Sequence, residues 1–123
     1  MKTKLIVMLL AVIFLLSGGA KLAGLEFEIE AFQRWGYPIW FMYLIGSIEV
    51  AGVIGLLFRQ VSALAAAGLT LMMIGAVMTH VLHAEWGMLV AAAVILTLSA
   101  WRVLLGQDDI LGLLPRNRVA TPG

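Results

Sequence analysis

Three ionisable side chains stand within or at the edges of long apolar runs: Lys21, Glu49 and His80. Glu49 lies in the middle of YPIWFMYLIGSIEVAGVIGLLF, residues 37–58, a run long enough to cross a bilayer. A carboxylate at such a depth costs roughly 2.5 kcal/mol or more, so it normally faces the interior of a helix bundle and has a partner there. An ammonium and an imidazole beside it could orient the polar end of a bound molecule or relay a proton. Trp35 and Tyr37 would supply rings at the rim of such a pocket. The alternative for Glu49 is an ion pair that only fixes helix packing. For His80 it is an interfacial imidazole bonded to a backbone carbonyl. His83 and Glu85 lie further along the chain and read as a solvated turn. The His80/His83 spacing offers two metal ligands, but the sequence supplies no third, so no metal site is expected.

Positioning these groups is the task of the elements around them. Lys2 and Lys4 precede an apolar run from Leu5 to Leu16, closed by Ser17, Gly18, Gly19, Ala20 and Lys21. The pattern also fits a secretory signal peptide. Because further apolar runs follow, we read it as a retained first span over about 5–21. Residues 22–36, LAGLEFEIEAFQRWG, alternate like a strand over Glu26 to Glu30, yet repeat Leu22, Leu25, Ile29 and Phe32 at helical spacing. A lone strand has nothing to pair with at a bilayer, so a short interfacial helix is expected. Trp35, Tyr37, Trp40 and Tyr43 then form an aromatic belt, and Pro38 suits the first turn of a second span over about 39–58. Third and fourth spans are expected over about 61–81 and 86–104. Stripes of Gly68, Met72, Gly75 and Thr79, and of Met73, Ala76, His80 and His83, lie on the third, and Trp86 and Trp101 anchor the fourth, with Arg102 at its end. If the second helix enters near Trp40, Glu49 lies about 13 Å down it at 1.5 Å per residue. Lys21, ending the first helix on that side, can reach roughly 6 Å inward, which makes it the expected partner.

The totals agree with a membrane setting. Of 123 residues, 63% are hydrophobic and 12% charged, with mean hydropathy +1.05, a balance that a water-facing surface does not accommodate. The fold class is therefore all-α: a transmembrane four-helix bundle, residues 1–105, with a short interfacial helix between the first and second spans and a tail over 106–123. A net charge of +1 and the lack of any basic stripe argue against nucleic acid as a partner. With no cysteine, the chain runs no thiol chemistry itself and makes no thiolate metal site. Lys2, Lys4, Arg59, Arg102, Arg116 and Arg118 fall on one side of four spans, against Lys21 and Arg34 on the other. The positive-inside rule thus puts both termini in the cytoplasm and the protein in the cytoplasmic membrane.

SGGAKLAG at the end of the first span, WGYP before the second, GSIEVAGVIGLL within it and IGAVMTH in the third resemble the DoxX family of small four-helix membrane proteins, over about residues 14–105. That resemblance implies four transmembrane helices, with Lys21, Glu49 and His80 at motif positions. It also implies kinship with membrane subunits of quinone-linked oxidoreductases, such as the DoxD subunit of a thiosulfate to quinone enzyme, and with membrane partners in thiol or radical detoxification. The residues themselves offer no catalytic nucleophile, haem motif or nucleotide loop. Three functions are consistent with them: a redox-associated subunit whose Lys21, Glu49, His80, Trp35 and Tyr37 pocket holds a quinone headgroup, a carrier of a small hydrophobic compound, or a non-catalytic assembly subunit. The expected partners are the bilayer, membrane or soluble redox proteins and a second copy of the chain.

Overall fold

The computed structural model describes residues 2–113. Pro115, Arg116 and Arg118, assigned above to the tail, lie outside the described residues. Six helices follow one another: α1 (Lys2–Leu22), α2 (Glu26–Trp35), α3 (Ile39–Leu57), α4 (Ser62–Leu82), α5 (Trp86–Leu105) and α6 (Gln107–Leu113). Four of them, α1, α3, α4 and α5, are long and apolar enough to cross a membrane. They form a four-helix bundle in which α1 pairs chiefly with α3 and α4 with α5, while α3 also packs on α4. Leu5, Leu16, Ile54, Leu71, Val90 and Leu104 point outward, as they do where lipid rather than water is the solvent. Trp86 and Trp101 are likewise exposed at the two ends of α5.

The bundle is filled at one end and hollow at the other. Ile6, Leu10 and Phe14 of α1 meet Val53 and Leu56 of α3, Leu69 and Met73 of α4, and Ala92 of α5 in one apolar cluster. This cluster occupies the half nearest the start of α1. At the opposite end α1 and α3 approach so closely that a Cβ on Gly18 would sit 2.9 Å from the Gly46 carbonyl oxygen, and one on Gly46 would sit 2.8 Å from Lys21 Cβ. Backbone contact of that kind is available only to glycine. Gly52 and Gly55 play the same part against Leu69 and Ala65 of α4, whereas Gly68 and Gly75 meet no neighbour. Of the stripe Gly68, Met72, Gly75 and Thr79, the two glycines therefore make no close helix contact among the described residues, while Met72 packs against the apolar cluster and Thr79 is buried.

Helix α2 crosses the hollow end as a short amphipathic element. Glu26 and Glu28 in its first turn complement the positive pole of its backbone dipole. Its inward face runs through Glu28, Ala31, Phe32 and Trp35, with Ala31 and Phe32 buried. Leu22 and Leu25, expected on that face, are exposed. The helix stops where Gly36 adopts φ +80° and the N–H groups of Gly36 and Tyr37 bond back to Gln33 and Phe32. That left-handed closure is cheap for glycine and turns the chain sharply into Pro38 and α3. At the far end of α4 the same closure is made by Ala84 at φ +53°, with Glu85 N–H bonding to the His80 carbonyl. A left-handed alanine is uncommon, and it delivers Glu85 back toward the bundle.

Candidate functional site

Beneath α2 lies a cavity of about 720 Å³ whose lining includes all five residues singled out from the sequence, Lys21, Trp35, Tyr37, Glu49 and His80. Its floor is Phe14, Met73 and Ala92, the upper edge of the apolar core, and most of its wall is aliphatic or aromatic. Phe32, Trp35, Tyr37 and Phe41 form a run of tilted and edge-on ring contacts with centroids 5.2 to 6.3 Å apart along one side. The volume falls in the range of about 300–1,000 Å³ typical of small-molecule sites.

Polar groups enter this cavity at two places. At the first, Lys21 in the last turn of α1 sets its Nζ 2.9 Å from Glu49 Oε1 and donates a 2.8 Å hydrogen bond to Ser17 Oγ one turn back. Glu49 is 2% exposed. Burial of such a carboxylate demands a counter-charge, and the glycine contact between α1 and α3 brings the ammonium within range. Glu28 of α2 is the unforeseen third member, its Oε2 3.2 Å from the same nitrogen. Proximity does not satisfy it: Glu28 Oε2 is buried yet receives no hydrogen bond among the described residues. One ammonium thus serves two carboxylates, and one acceptor on the cavity wall is left open.

At the second place, Glu85 collects donors from three directions. Arg34 Nε and Nη2 donate to Oε2 at 3.0 and 2.7 Å, Trp35 Nε1 to Oε1 at 2.9 Å, and His80 Nδ1 lies 3.0 Å from Oε1. Partial burial acts to raise the carboxyl pKa, but the hydrogen bonds from His80, Trp35 and Arg34, together with the Arg34 charge, outweigh it and bring the group from its ordinary 4.5 to about 2. An ionised Glu85 only accepts, so His80 Nδ1 is the donor in this contact. The reading of Glu85 as a solvated turn residue is therefore corrected: the left-handed Ala84 folds it inward, where it ties α2 to the end of α4. His83 stays exposed, with Nδ1 2.8 Å from the Thr79 carbonyl. Tyr37 completes the tether. Thr79 donates to the Gly75 carbonyl at 3.0 Å, so its Oγ1 accepts the Tyr37 hydroxyl proton at 2.8 Å.

Sequence reasoning missed Glu28, Glu85, Arg34 and Thr79. A signal existed for Glu28 alone: it shares helical spacing with Ala31, Phe32 and Trp35, the face that α2 buries. Arg102 also departs from expectation. Placed by the sequence at the end of the fourth span, it is 4% exposed and turned beneath the start of α4, its Nε 3.3 Å from Ser62 Oγ.

A bundle of four membrane-length helices, capped by an amphipathic helix over an apolar cavity with a paired acid and base, defines a small multi-pass membrane protein. The chain belongs to the DoxX-like family, whose profile matches residues 5–102. It is 27% identical over 101 residues to a Bacillus subtilis (strain 168) protein named as the uncharacterized protein YdgD, covering 77% of this chain and 89% of that one. No solved structure matches it.

Proposed function

We propose that this DoxX-like protein is a subunit or accessory of a membrane redox system, and that its cavity holds the headgroup of a lipid-soluble quinone. The observation that carries the reading is the combination of Lys21 and the unsatisfied Glu28 Oε2 at the polar end of an aromatic cavity. The oxidised ring presents carbonyl oxygens, which accept from the Lys21 ammonium. A reduced ring presents hydroxyl groups, which donate to Glu28. A site that binds both forms needs a donor and an open acceptor side by side, and Phe32, Trp35, Tyr37 and Phe41 suit the ring itself. Glu49 holds Lys21 in place, and the His80 ring on the cavity wall is placed to relay a proton. Electrons would come from partner proteins.

Binding of a soluble quinone analogue to the purified protein, followed by quenching of tryptophan fluorescence with Trp35 and Trp40 on the cavity wall, tests this. Affinity that differs between the oxidised and reduced analogue, with the difference lost in Glu28→Gln, is the expected result. Equal affinity for both forms and for redox-inert ring compounds would instead identify a carrier of small hydrophobic molecules.

The charge distribution supports a place in the cytoplasmic membrane with both termini inside. Since the native chain has no cysteine, Glu30→Cys and Asp108→Cys, both exposed positions, can be labelled one at a time. An impermeant reagent should reach the first in intact cells and not the second; the opposite pattern reverses the orientation.

A further inference from the structure

The end of the bundle away from the cavity holds a second cleft, of about 630 Å³, in which Thr3, Lys4, Arg59, Ser62, Arg102 and Asp109 stand among aliphatic side chains. From this cleft we infer a binding site for the phosphate group of an anionic phospholipid, with Arg102 as its anchor.

Arg102 is the decisive residue. The residue is 4% exposed and lines the cleft, and Gly106 allows it to fold under the α5–α6 turn, since a Cβ there would lie 2.5 Å from Arg102 Nη1. Among the described residues only its Nε finds a side-chain acceptor, the Ser62 hydroxyl, and no carboxylate lies within 4.0 Å of its nitrogens. A buried guanidinium without a counter-charge is costly, and an anion supplied from outside removes that cost. Lys4 and Arg59 face the same cleft against Asp109, the single acid among the described residues that line it, so that lining is cationic. The first turn of α4 starts here with no side-chain cap, adding backbone N–H groups that favour an anion.

Two features select the phosphate of a lipid. A planar guanidinium matches two phosphate oxygens at once, whereas a lysine acts as a point charge. Met8, Leu57 and Leu105 line the same cleft and are themselves exposed, giving acyl chains an apolar path beside the charged group. A soluble phosphate uses the first feature and leaves the second idle. The cleft lies across the bundle from the quinone reading of the other cavity and does not depend on it.

The test is native mass spectrometry of the full-length protein presented with phosphatidylglycerol, with phosphatidylcholine, and with inorganic phosphate alone. Retention of phosphatidylglycerol about tenfold over phosphatidylcholine, equivalent to about 1.4 kcal/mol, is expected. Arg102→Gln should abolish the preference, and Arg102→Lys should restore it only in part. Because Arg102 is buried and its variants could fail to fold, the exposed Arg59→Ala provides a second arm, expected to lower the preference severalfold in a protein of normal stability. Equal retention of the two lipids, or a preference unchanged by Arg59→Ala and by any folded Arg102 variant, overturns the site. Inorganic phosphate displacing phosphatidylglycerol and stabilising the protein equally well would overturn the lipid assignment.

Discussion

Lys21 and Glu85 each gather several polar partners at the same end of the bundle, yet one group is over-subscribed and the other saturated. Glu85 accepts four hydrogen bonds from Arg34, Trp35 and His80, and so has no capacity left for a ligand. Its partners sit on α2 and α4, and the arrangement behaves as a clasp that fixes the roof of the cavity. The Lys21 cluster joins α1, α2 and α3 with one cation for two carboxylates, and leaves Glu28 Oε2 open on the cavity wall. Satisfied polar networks hold structure, while an unsatisfied buried group marks where a further partner belongs. The difference separates the residues that build the cavity from those that would use it.

The comparison breaks most directly at Lys21. Lys21→Met strands two carboxylates, one of them nearly fully buried, and should destabilise the protein by about 3 kcal/mol in reversible unfolding, since removing one partner of a buried pair costs about 3 to 5 kcal/mol. Adding Glu49→Gln should recover part of that loss, the remainder belonging to Glu28; strictly additive losses would mean that Lys21 and Glu49 are not coupled.

At the clasp, Glu85→Gln keeps the shape and removes the charge, and should cost about 2 kcal/mol, the scale of hydrogen bonds to a charged group. The loss should be local. Hydrogen exchange in Glu26–Trp35 should quicken while α5 is unchanged; uniform acceleration would show that Glu85 supports the whole bundle.

Acid should reach the same clasp without mutation. Glu85 titrates below its ordinary value when folded, so its stabilisation is complete above about pH 4.5 and disappears as the pH falls toward 2. Exchange in α2 should therefore quicken across that window in the parent protein and be less sensitive to pH there in Glu85→Gln. A clasp equally sensitive in both proteins would assign the effect to other carboxylates.

Smallest in stability is Glu28→Gln, expected to cost about 1 kcal/mol or less, because it gives up the 3.2 Å contact with the Lys21 ammonium but strands no charge, Lys21 keeping Glu49. Its effect should appear in ligand binding, as about a tenfold weakening for the hydroxyl-bearing form of a ring compound. A large stability loss with unchanged binding would place Glu28 with Glu85 as a structural residue.

By itself the sequence determined the class of fold and the amphipathic helix between the first two spans, and it named Lys21 as a candidate partner for Glu49, whose 2.9 Å contact only the structure supplies. The first two follow from local physics, because a bilayer admits only helices for these lengths of apolar chain, and a carboxylate nine residues into a span needs a partner without fixing which one it takes. The inward turn of Glu28, the capture of Glu85 and the burial of Arg102 were settled by tertiary structure. Glu28 shared a run of three glutamates of which two face outward, and only the docking of α2 distinguishes it. Glu85 depends on a left-handed alanine that no propensity foretells, and Arg102 on the space left above Gly106 and beside Ser62. A residue type announces what it needs; which neighbour meets the need depends on where the turns aim the helices and on how closely glycine lets them approach.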